Sequence, residues 1–201
     1  MPLENRIKIY YTNHIGGDLM EFDAVSAGVA PGGLVNSSEI KVLICYILNN
    51  VGEPVPATEL CEMLYYEGIA NVFELSDNIE ALSKSGHIKC VNHIEKSYTT
   101  TAAGNEIAAT LKTTLPYSVR EKACFVTLKM LAKIRNTKET DISITRSGDS
   151  TFITCSALEN NRPVMSVQLL VSDEEQAISI KNKFIENPSV IYSKIVDLLT
   201  E

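Results

Sequence analysis

The stretch Ser37-Ser38-Glu39-Ile40-Lys41-Val42-Leu43-Ile44-Cys45-Tyr46-Ile47-Leu48-Asn49-Asn50 decides how the front of the chain is read. Ile40, Leu43, Ile44, Ile47 and Leu48 recur at helical spacing, which predicts a helix over about 38–50. Ser37 or Ser38 is placed to cap it, because a serine oxygen can accept an unpaired N–H of the first turn. Gly52 and Pro54 end it. Working outward, Pro56 is expected to open a short second helix, where its missing N–H costs nothing. Leu60, Met63 and Leu64 give that helix an apolar stripe, and Gly68 closes it. A third helix is predicted over 71–85, with Val72, Leu75, Ile79 and Leu82 on one face and Gly86 as its stop. Two short β runs follow, 87–91 and 96–100, joined by Asn92-His93-Ile94-Glu95. Thr101 can cap a further helix that includes Ile107 and Leu111.

Helix, helix, helix, β-ribbon, helix is the outline of a winged helix-turn-helix over 37–115. In that arrangement the third helix is offered to a DNA major groove and the ribbon to the backbone or minor groove. The phrase Tyr98-Thr99-Thr100-Thr101-Ala102-Ala103-Gly104 resembles the tyrosine, capping threonine and glycine that leave the wing in many winged-helix regulators.

Composition sets limits on this reading. A chain of 201 residues can bury a sizeable core in one or two domains. Its formal net charge is -7 and its pI about 5.1, against the basic footprint of a strong non-specific nucleic-acid binder. A locally basic patch remains compatible with an acidic chain. No apolar run reaches the ~20 residues that cross a bilayer, and no secretory signal is recognisable. No membrane partner is therefore expected, and the cytoplasm is the default location. Cys45, Cys61, Cys90, Cys124 and Cys155 form no CxxC pair and no Cys/His cluster at zinc spacing, so they read as small hydrophobes in a reducing compartment.

The segment 1–36 is the least periodic part and reads as a leader. Ile7 to Tyr11 suggests a strand, and Met20 is a second possible start. Neither Gly16-Gly17 nor Gly32-Gly33 matches a phosphate-binding loop. After Pro116, a helix is predicted from Tyr117 to about Arg135 with a broad apolar face of Val119, Ala123, Val126, Met130, Leu131 and Ile134. As a linker over 116–136, that face either packs on the core or pairs with its copy in a second chain.

Beyond Asn136 the period changes to two. Residues 141–145 and 151–155 alternate around Ser147-Gly148-Asp149 and read as a hairpin. A third strand is expected over 164–171. Two helices follow, over 173–186 and after Asn187-Pro188, to cover one sheet face. The expected class is α+β: a winged-helix domain, a linker helix, and a domain over 137–201 made of a small three-stranded antiparallel sheet with two helices.

Both halves together resemble an uncharacterised family of winged-helix proteins found mainly among clostridia. The matching features are Ile40 to Leu48, Leu82-Ser83-Lys84-Ser85-Gly86, the Tyr98 to Gly104 phrase, Glu159-Asn160-Asn161-Arg162-Pro163, Glu175-Gln176-Ala177, and the ending Asn187 to Ile195. The resemblance implies a transcription-regulator role by fold. It supplies no ligand, target or catalytic residue, so function rests on fold analogy.

The residues expected to meet DNA are Asn71, Glu74, Asp77, Asn78 and Lys84 on the third helix, and Lys89, His93 and Lys96 on the ribbon. Asn78 has the chemistry to read adenine, and the acids can accept from cytosine. Yet Glu74, Asp77 and Glu80 repel phosphate, so the ribbon carries most of the positive charge. Phe73 is expected in the core or at a helix contact. His14, His87 and His93 lack ligand-spaced partners, and Asp173-Glu174-Glu175 falls at a helix start, where acids suit the dipole. No catalytic, cofactor or metal site is expected. The first expectation is a dimeric DNA-binding regulator. The second is an interaction or dimerisation module whose acidic third helix meets an unknown protein partner.

Overall fold

In the computed structural model, residues 28–200 are described. They form a mixed α+β structure with seven α-helices and two three-stranded antiparallel sheets. The strand expected near Ile7 and the possible start at Met20 lie outside the described residues.

Helix α1 (Ser37–Val51) is the centre of the larger core: Ile40, Leu43, Ile44, Cys45 and Ile47 are fully buried. It packs against α3 (Val72–Lys84), α4 (Ala102–Leu111) and α5 (Tyr117–Lys138). The cap is Asn36, not Ser37 or Ser38: its Oδ1 accepts from Ser38 N at 2.8 Å and Glu39 N at 3.4 Å. The reason is that Ser37 is already inside the first turn, where its hydroxyl serves the third helix instead.

Residues 53–56 correct a second expectation. Val55–Pro56 form a short strand, β1, and Pro56 precedes α2 (Ala57–Tyr66) rather than opening it. Strands β2 (Ile88–Asn92) and β3 (Ser97–Thr100) make the ribbon, and β1 pairs with β3 through Val55↔Tyr98 and Pro56↔Ser97. The sheet order is β1-β3-β2. Pro56 lacks an N–H to donate, and a two-residue strand at the sheet edge is a position that tolerates this.

The end of the predicted leader is packed. Leu34 is buried, its N–H donates to Ile69 O at 2.7 Å, and Ala30 N donates to Gly68 O at 2.8 Å. These bonds pin residues 30–34 on the connection between α2 and α3.

Helix α5 buries Val119, Ala123, Val126, Met130 and Leu131 on the same core. Three ion pairs fasten it: Lys122–Glu67 (3.0 Å), Arg135–Glu53 (3.0 Å) and Lys138–Glu95 (3.1 Å). Each is solvent-exposed and contributes ~0–1 kcal/mol, so the apolar face does most of the holding. The same helix reaches the second core. Asn136 Nδ2 donates to Ile185 O (2.8 Å) and Glu186 O (3.1 Å), occupying carbonyls at the end of α6 (Glu174–Glu186).

Strands β4 (Thr140–Ser147), β5 (Ser150–Glu159) and β6 (Arg162–Val171) form an antiparallel meander. Ile153, Cys155 and Ala157 alternate inward on β5 and pack against Ala177 and Phe184 of α6. Asp173 caps α6, accepting from Gln176 N at 2.7 Å. That bond holds its carboxyl below the usual carboxylate range. The last helix, α7 (Pro188–Thr200), is only lightly covered: Ile191 and Ile195 are half-buried, while Leu198 and Leu199 are 77% and 80% exposed.

Candidate functional site

The α3–ribbon face holds every residue expected to meet DNA, and the structure divides them into two sets. Asn71 and Asn78 are inside. Asn71 caps α3, with Oδ1 accepting from Phe73 N at 2.8 Å. Asn78 is 3% exposed, and both ends of its amide are used. Its Oδ1 accepts from Ser37 Oγ and its Nδ2 donates to Glu74 O, each at 2.7 Å. Asn78 thus ties α3 to the first turn of α1 and presents nothing to a base edge.

That placement carries a prediction. Asn78→Ala removes both hydrogen bonds made by a side chain that is 3% exposed and should lower stability by ~1–3 kcal/mol. Asp77→Ala should stay within about 0.5 kcal/mol. Paired urea melts check both, and equal effects would contradict the assignment.

The exposed edge of α3 is Phe73, Asp77, Glu80 and Lys84, spaced i, i+4, i+7 and i+11 along one stripe. Phe73 is 76% exposed, contrary to the core position expected for it. Leu75, Asn78, Ile79 and Leu82 recur at 3–4 residue intervals and face inward together, and Phe73 lies on the opposite side of the helix from that stripe. Lys84 pairs with Glu80 across one turn, and that hydrogen bond holds the Glu80 carboxyl below its ordinary range, with Lys96 adding to the effect. Glu74 is half-buried.

Lys89, His93 and Lys96 are exposed on the ribbon. The turn between β2 and β3 is built by Asn92, whose Oδ1 accepts from Ile94 N (3.0 Å) and Glu95 N (3.2 Å). This side-chain mimic of a backbone turn is a common asparagine role. Lys96 takes a left-handed conformation (φ 48°) as the chain re-enters β3. The turn lifts Ile94 to 96% exposure, beside the outward-facing Val91. By its sequence context Ile94 reads only as part of the connection between the two β runs. An isoleucine at a turn apex is itself the signal, because an apolar side chain there buries nothing of its own. The Glu95–Lys138 pair ties the turn to the end of α5.

A second missed feature lies on α5. Phe125 and Leu128 are 68% and 48% exposed, and with Ala132 they are spaced i, i+3, i+7 opposite the buried face. The large apolar face of this helix packs on the chain's own core. The exposed stripe is shorter and separate.

Among the described residues no group of three or more His, Cys, Asp or Glu is arranged to hold a metal. Burial raises the thiols of Cys45, Cys61 and Cys124 to about 11, so these side chains behave as small apolar groups at neutral pH. No helix among the described residues is long and apolar enough to cross a membrane.

Comparison with known proteins brings a family match over residues 40–199, to a domain of unknown function, DUF4364. The chain belongs to this family. No curated protein and no solved structure matches it. The match takes in the α3–ribbon face, α5, and the sheet with α6 and most of α7. The match spans both cores of this chain, and the family's description assigns no activity to either.

Proposed function

We propose that residues 37–115 are a winged helix-turn-helix and that the chain is a cytoplasmic, dimeric transcriptional regulator. The observation that carries this is the order β1-β3-β2 beside α3: a strand between the first two helices pairs with the ribbon that follows the third. The resemblance to a clostridial winged-helix family points the same way. DNA is held through the ribbon, where Lys89, His93 and Lys96 are exposed, while α3 brings Asp77 and Glu80 with only a paired Lys84. Such a face neutralises few phosphates, so affinity is modest and highest at low salt. A gel-shift survey of fragments from the host genome at low ionic strength tests this. Wild-type protein should retain a fragment and the Lys89→Ala/Lys96→Ala variant should release it. Retention by neither, or equally by both, contradicts the proposal.

The dimer forms, on this reading, through the Phe125–Leu128–Ala132 stripe of α5. Two copies related by a two-fold axis bury each other's stripe, with Glu121 of one copy facing the Lys129 end of the other. Light scattering should give a mass of two 22.1 kDa chains for the wild type and one for Phe125→Glu/Leu128→Glu. A wild-type monomer, or a variant that stays dimeric, refutes this seam.

One observation favours a second reading, a protein-contact module without DNA binding. The same face exposes Phe73, Val91 and Ile94 among acids, a mixture suited to a partner with basic and apolar groups. Capture of a defined partner after nuclease treatment, lost on Phe73→Ala/Ile94→Ala, would select it.

A further inference from the structure

The sheet of the smaller core is not fully covered. An open cleft of about 480 Å³ runs between β5, β6, α6 and α7. Its floor is Cys155, Val167 and Phe184, and its far wall is Ile191 and Ile195 of the lightly held α7. The near rim is the polar edge of α6, where Ser179 and Lys183 stand one turn apart. Neither makes a side-chain hydrogen bond or ion pair among the described residues. No Asp or Glu lines the cleft. Its size lies within the ~300–1,000 Å³ typical of small-molecule sites, and a mainly apolar lining with few polar groups is their usual composition.

We propose that this cleft binds a medium-chain aliphatic carboxylate, one per chain. The hydrocarbon tail lies on Val167, Phe184, Ile191 and Ile195. The carboxylate meets the Lys183 ammonium, with the Ser179 hydroxyl as a second donor. A single unpaired cation at the edge of an apolar trough, without a competing acid, selects an anionic amphiphile over a neutral or cationic one. The site is separate from the α3–ribbon face, so it stands whether or not that face meets DNA.

Titration of the full chain with decanoate, followed by calorimetry, tests this, with decan-1-ol as the uncharged probe. The expected result is saturable decanoate binding at one per chain, tighter than decan-1-ol. Lys183→Glu should weaken decanoate at least about tenfold and leave decan-1-ol unchanged. Ile195→Glu should abolish uptake of both, with circular dichroism confirming that the variant is folded. No saturable decanoate binding, or an affinity unmoved by Lys183→Glu, overturns the proposal. So does a cleft occupied by a second copy, seen as no uptake together with a dimer mass that Ile195→Glu halves.

Discussion

Gly104→Val should lower the stability of the protein by about 3 kcal/mol, a large share of the ~5–15 kcal/mol typical of a folded domain. The cause is the approach of α4 to the base of the ribbon. A Cβ at Gly104 would collide with the carbonyl oxygen of His87 and with Thr100 Oγ1. The first is backbone and cannot swing aside. Thr101, just before the helix, locks the same joint: its N–H donates to His87 O at 3.0 Å, and its Oγ1 donates to Gly86 O at 2.8 Å. Pushing α4 away loses those bonds, each worth ~0.5–1.5 kcal/mol, on top of ~1–3 kcal/mol of overpacking. Denaturant melts measure the loss. A change below about 0.5 kcal/mol would mean that α4 does not press on the ribbon.

Leu43→Ala should cost about 3–4 kcal/mol. Leu43 is fully buried on the helix that α3, α4 and α5 all pack against. A truncation there leaves a cavity that several elements would have to move together to close, which places it toward the upper part of the 2–5 kcal/mol range. Leu198→Ala on α7 removes the same atoms from a residue 77% exposed and should stay within about 0.5 kcal/mol. If the two variants melt alike, the larger core is not organised on α1.

The contrast between Leu43 and Leu198 also shows what could be read from the residues alone. Helices α1 and α3 were legible because their apolar residues repeat at 3–4 intervals, and the meander because Ile153, Cys155 and Ala157 alternate. Strand β1 was not, since two residues carry no period, and Pro56 also fits a helix start. The cap of α1 falls at Asn36, one or two residues before the expected Ser37 or Ser38, because all three side chains are competent caps and Ser37 Oγ is already given to Asn78.

The candidate face was legible in its charges and not in its orientation. Lys89, His93 and Lys96 are exposed as expected. The polar Asn71 and Asn78 read as surface residues, and the apolar Phe73 as a core or helix-contact residue. The helix phase reverses those placements. Polarity alone does not say which residues of a capped helix turn inward, because a buried amide with all its hydrogen bonds made carries little penalty. The α5 stripe was hidden by a larger apolar face on the same helix.

The salt dependence of binding to any genomic fragment retained in the gel-shift survey is the most direct test of the ribbon as the DNA-holding element. Two ribbon lysines per copy predict a slope of log K against log[salt] near about −2 per copy for the wild type, and no retained fragment for the Lys89→Ala/Lys96→Ala variant even at the lowest salt. A steep slope that survives loss of both lysines, or no fragment retained by the wild type at any salt concentration, would contradict the account.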